Sequence, residues 1–74
     1  MQELTSREME LVAIGAAIGS NCIPCIEYHI PAAREAGLTD AQIAAAVDLA
    51  NKVKQAPARK VREAALQLLR PEEP

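Results

Sequence analysis

Nine consecutive residues, Leu11 to Gly19, carry no polar side chain, and this run restricts the fold more than any other feature of the chain. The spacing predicts a helix that is apolar nearly all round from Leu11 to Ile18. Met9, Val12, Ala13 and Ala16 fall on one side, and Leu11, Ile14 and Ile18 on another. Such a helix has to be covered on most of its faces. The run is too short to cross a bilayer, which takes about 20 apolar residues, so protein must do the covering. The chain has 74 residues, enough for a single domain spanning 1–74. Its large aliphatic side chains are seven Leu, six Ile and four Val, set among fifteen Ala and one aromatic residue, Tyr28. A core of that size rarely supplies more than ~3–5 kcal/mol. Small domains usually add disulfides, a metal or a partner subunit. A disulfide between Cys22 and Cys25 would close too small a loop to staple distant segments. Association with further copies, as a homo-oligomer, is therefore expected.

Helix signals punctuate the rest. Thr5-Ser6-Arg7-Glu8 fits a capping box that opens the first helix. Gly19-Ser20-Asn21 is expected to end that helix and to cap the next. Gly15 and Gly19 cost helix propensity and suit a place where another helix packs closely. The second helix is expected from about Ile23 to Ala36, with Pro24 in its first turn, where a missing N–H does no harm. Pro31 should kink it, and Gly37 should stop it. Thr39-Asp40-Ala41-Gln42 is a second capping box. It opens a third helix, to about Gln55, with Ile43, Ala46, Val47, Ala50 and Val53 on its inner stripe. Pro57 is expected to separate this from a fourth helix ending near Arg70, whose stripe is Val61, Ala64, Ala65, Leu68 and Leu69. Pro71-Glu72-Glu73-Pro74 reads as a frayed tail. With no strand pattern and no internal repeat, the class is all-α: a helical hairpin plus two further helices.

The net charge is −2 and the isoelectric point about 5.3, against a nucleic-acid partner, which wants a basic face. Lys52, Lys54, Arg59, Lys60 and Arg62 do cluster, but Val53, Ala58 and Val61 interrupt them at helical spacing, as on a solvated helix face. No basic segment leads into an apolar run at the N-terminus, so a cytoplasmic location away from membranes is expected. In that compartment a close cysteine pair is more often catalytic or metal-binding than structural.

The chemistry concentrates in Asn21-Cys22-Ile23-Pro24-Cys25-Ile26-Glu27-Tyr28-His29. The cysteines sit at a helix N-terminus, where free N–H groups and the helix dipole favour the reactive thiolate. Cys22, Cys25 and His29 stand at i, i+3 and i+7, along one helix face. His29 follows Cys25 by four residues, within reach of a proton transfer, directly or through a water. Two inert core cysteines would be the bland alternative. A zinc site drawn from Cys22, Cys25 and His29 would have three ligands, where a structural site normally takes four. Haem attachment wants His directly after the second Cys, where this chain has Ile26.

Glu10, then Cys22-x-x-Cys25-x-x-x-His29, then Ala33-x-x-x-Gly37-x-Thr39 resembles the carboxymuconolactone decarboxylase-like superfamily, and more narrowly its alkylhydroperoxidase D-like branch. The likeness covers roughly residues 9–53. It implies a helical hairpin with C-x-x-C at the start of its second helix, assembled as a homo-oligomer, often a trimer or hexamer. It implies a peroxidase or disulfide reductase that acts on a small-molecule peroxide or disulfide and draws electrons from a thiol donor, with no cofactor and no metal. Carried over by position, Cys25 resembles the cysteine that attacks peroxide, His29 its base, Cys22 the more accessible resolving cysteine, and Glu10 the relay carboxylate. Pro24 stands where many members carry His. The decarboxylase branch lacks the cysteine pair, so decarboxylation is not expected. The resulting expectation is a thiol–disulfide oxidoreductase, an antioxidant peroxidase or a reductase; a non-enzymatic oligomeric module that senses redox state or binds metal is the alternative.

Overall fold

The computed structural model describes residues 3–71, so most of the expected tail, from Glu72 on, lies outside the described residues. Among these, three helices and no strand form: α1 (Ser6–Gly19), α2 (Ile23–Glu35) and α3 (Asp40–Leu69). Both capping boxes close. Glu8 N–H donates to Thr5 Oγ1 at 3.1 Å, and Thr5 N–H donates to Glu8 Oε1 at 2.8 Å. The Thr5 backbone bond, with help from its hydroxyl, holds the Glu8 carboxyl below the usual carboxylate range. Thr39 and Gln42 make the same reciprocal pair at the start of α3.

α2 ends in a Schellman motif. Leu38 N–H reaches Ala33 O at 3.1 Å, and Gly37 N–H reaches Arg34 O at 3.0 Å. Gly37 sits at φ 99°, and a Cβ there would lie 2.9 Å from the Arg7 guanidinium, which itself donates to Ala36 O. The positive φ is what favours glycine here; the Arg7 guanidinium, at the end of a flexible side chain, could move away from an added Cβ. The turn drops Leu38 into a small core with Ile14, Ala33 and Ile43, flanked by the partly buried Leu11, Ile18, Ile30 and Val47. α1 is the central element, packed against both α2 and α3, while α2 and α3 barely meet.

The expected fourth helix is the main correction. α3 is one helix of 30 residues that passes through Pro57. Proline withdraws the one N–H that would bond the Val53 carbonyl. Both residues lie on the exposed surface, where water can satisfy that carbonyl. The flanking Ala, Lys, Gln, Arg, Glu and Leu residues are strong helix formers, so continuing the helix costs less than breaking it. α2 likewise runs unbroken past Pro31.

Val53, expected on the inner stripe, is 67% exposed, and the Val61–Leu69 stripe is uncovered, with Leu68 87% exposed. α3 leaves the hairpin near Ala56 and projects as an arm, giving a particle 63 Å long with a radius of gyration of 17.7 Å. A compact domain of this length would have about 11 Å. α1 is also only partly covered: Val12 is 62% exposed. A Cβ added at Gly15 or Gly19 would meet nothing within 4 Å, so the close packing expected of them does not occur among the described residues of one subunit. No described helix is long and apolar enough to cross a membrane.

Candidate functional site

Three residues, Ser20, Asn21 and Cys22, connect α1 to α2, and their geometry sets the position of the sulfurs. α1 also ends in a Schellman motif, with Asn21 rather than Gly19 in the left-handed conformation, at φ 57°. Cys22 N–H returns to Ala17 O at 3.0 Å, and Asn21 N–H to Ile18 O at 3.3 Å. Asparagine tolerates this backbone better than most residues. Cys22 then serves a second purpose. It is the N-cap of α2, and its Sγ accepts the Cys25 N–H at 3.3 Å. The expectation that Ser20 or Asn21 caps α2 is therefore corrected: Asn21 is consumed by the exit from α1, and the sulfur takes the capping role.

Cys22 and Cys25 are joined by a disulfide, with Cα atoms 5.2 Å apart. Both are half-buried. One turn further along α2, His29 Nδ1 lies 2.7 Å from Glu10 Oε1, which reaches across from α1. The two side chains are 29% and 20% exposed. An ionised carboxylate only accepts, so Nδ1 carries the proton of that bond, and Nε2 is the nitrogen left for other partners. The Tyr28 ring meets the His29 ring edge-on, at 4.9 Å between centroids. The structure thus separates the two neighbouring glutamates: Glu8 is held by the cap, and Glu10 is paired with the imidazole.

Sequence reasoning missed Lys54. Its Nζ, reaching in from α3, donates to Ile18 O at 3.2 Å and to the Asn21 side-chain oxygen. The spacing of the basic residues had grouped it with a solvated face, and only tertiary packing reveals the contact. Beside it, a cleft of about 370 Å³ is walled by Cys22, Ile23, Ile26, Asn51 and Lys54. No cluster of three or more metal-ligating side chains occurs among the described residues.

A helical hairpin whose second arm starts at a redox-capable cysteine pair, with a carboxylate and an imidazole bridging the arms, defines a class of all-α thiol proteins. The model of the carboxymuconolactone decarboxylase family matches residues 2–69. The chain belongs to that family. No curated protein and no solved structure gives a significant match.

Proposed function

We propose that this chain is a thiol–disulfide oxidoreductase of the alkylhydroperoxidase D-like kind, acting on hydroperoxides through Cys25, Cys22, His29 and Glu10. The observation that carries this reading is the Glu10–His29 hydrogen bond, one turn beyond a closed Cys22–Cys25 disulfide. In the reduced enzyme, His29 takes the Cys25 proton while Glu10 fixes its ring and stabilises the resulting cation. The Cys25 thiolate attacks one oxygen of the O–O bond. The other oxygen leaves as an alkoxide and takes the proton, so an alcohol departs and Cys25 becomes a sulfenic acid. Cys22 condenses with it, expelling water and forming the disulfide. Two equivalents of a thiol donor then restore the dithiol by exchange and leave as their own disulfide.

The test is direct. Purified protein supplied with a hydroperoxide and a dithiol should consume both, and mild oxidation of the reduced protein should remove two hydrogens by mass spectrometry. Two free thiols after that oxidation would refute the redox reading. A zinc-loaded protein without turnover would favour the metal-binding module instead.

The working unit in this proposal is a homo-oligomer. The exposed Val61, Leu68 and Leu69 on α3 and Val12 on α1 form apolar surface that a lone subunit leaves in water. Light scattering should give a multiple of 7.9 kDa, with a trimer or hexamer expected. A well-folded monomer at micromolar concentration would exclude the assembly.

A further inference from the structure

α1 has no basic residue in its own last turn. Its final carbonyls nevertheless meet a cation, because Lys54 comes from α3, 36 positions beyond Ile18, to donate to the Ile18 carbonyl. The same ammonium donates to the side chain of Asn21, the residue in the left-handed conformation that lets the chain turn from α1 into α2. The next residue is Cys22, tied to α1 through its N–H and to α2 through its sulfur. Lys54 and Cys22 also wall the same cleft.

We infer that Lys54 is a positioning residue for the exchanging sulfur: it clasps the α1–α2 turn so that Cys22 stays at the cap, and its charge favours Cys22 as a thiolate. This rests on the thiol–disulfide reading above and concerns its second half. When the donor attacks the Cys22 sulfur, the Cys22–Cys25 bond breaks and Cys25 leaves as a thiolate. When a second donor thiol attacks the mixed disulfide, the donor–Cys22 bond breaks and Cys22 leaves as a thiolate. A leaving sulfur departs faster when its thiolate is stabilised. A nearby ammonium does this, as does the amide of Cys25 at the cap.

The surroundings give Lys54 this influence. α1 contributes Ala17, Ile18 and Asn21 to the cleft, α2 contributes Ile23 and Ile26 beside Cys22, and α3 contributes Asn51 and Lys54. Lys54 is the one charged residue among them. His29 and Glu10, one turn beyond Cys25, are engaged with each other. The cleft, mostly apolar with the amides of Asn21 and Asn51 and one ammonium, suits a small thiol that carries an apolar arm and a hydrogen-bond acceptor.

The test uses the full chain with Cys25→Ser, so that Cys22 is the only thiol and no redox cycle is required. Iodoacetamide alkylation is followed against pH with Lys54, Lys54→Arg, Lys54→Gln and Lys54→Met, with helicity checked by circular dichroism. Lys54→Met should raise the midpoint of the profile and slow labelling near pH 7 by about threefold to tenfold, since the thiolate fraction falls tenfold for each pH unit of displacement. Lys54→Arg should keep the parent midpoint. Lys54→Gln, which retains an N–H for the clasp but no charge, should move with Met, and it decides the matter if Met fails to fold. Coincident profiles for the parent and Gln would overturn the inference, as would equal slowing in all three variants at an unchanged midpoint. A protein that fails to oxidise reversibly would sink the oxidoreductase reading while leaving this profile measurable, so the two failures are distinct.

Discussion

In the proposed cycle, His29→Ala is expected to lower peroxide turnover by about 10²–10⁴-fold, the usual worth of a positioned general base. In a Cys22→Ser background, where Cys25 is the only thiol, the alkylation profile of the variant should move up toward the ordinary thiol value of about 8.5. The reason lies in the geometry of the pair. Glu10 lies 2.7 Å from Nδ1, which orients the ring and leaves Nε2, in the proposed cycle, to take the proton of the reduced Cys25. Glu10→Gln keeps a hydrogen-bonding side chain but removes the charge that stabilises the imidazolium, so it should lose part of the rate and keep the fold. The competing reading gives His29 a packing role, supported by its edge contact with Tyr28. Under that reading, His29→Ala leaves the thiol profile unchanged and costs only stability. Overlapping profiles would remove His29 from the chemistry and leave the N-terminus of α2 as the activator of Cys25.

The largest effect on stability is expected from Ile14→Ala. Ile14 is fully buried at the meeting point of the three helices, against Ala33, Leu38 and Ile43. Removing its methyl groups costs about 2–5 kcal/mol, part in lost transfer energy and part in the cavity left behind. A core of this size offers little more than that in total. Urea unfolding followed by circular dichroism should show the transition displaced to very low denaturant or lost. A midpoint within about 0.5 kcal/mol of the parent would mean that stability resides elsewhere.

The helix starts were legible because they depend on neighbours in sequence. Thr5 with Glu8 and Thr39 with Gln42 satisfy each other across three residues, and no tertiary contact is needed to read them. The stop at Gly37 was legible for the same reason. The cysteine pair at the head of α2, with His29 on its face, followed from spacing alone. That Glu10 meets His29 while Glu8 is held by the cap was legible only in part, because it needs α1 and α2 to lie side by side. Lys54 was not legible at all, since nothing local distinguishes it from Lys52. The capping role of Cys22 was hidden because sulfur is a weak acceptor and Asn21 is the stronger local candidate; the αL exit from α1 had already taken Asn21. Pro57 misled for a thermodynamic reason. A proline inside a helix is costly beside alanine, but here the orphaned carbonyl is exposed to water and strong helix formers flank the proline on both sides.

The arm formed by the second half of α3 carries a consequence for affinity. Residues 58–69 are exposed along their whole length among the described residues, so their helical order rests on local propensity and on whatever they dock against. In the proposed oligomer, ordering the arm and binding the neighbour become one equilibrium, and the free energy of the first is subtracted from the second. Side chains that touch nothing then acquire leverage over assembly. A change at Glu63 that alters helix propensity by a few tenths of a kcal/mol would shift the free energy of association by that amount for every arm engaged. In a trimer or hexamer the shifts add. In such an assembly the solvent-facing residues would tune the concentration at which subunits associate, while the apolar stripe stays as it is.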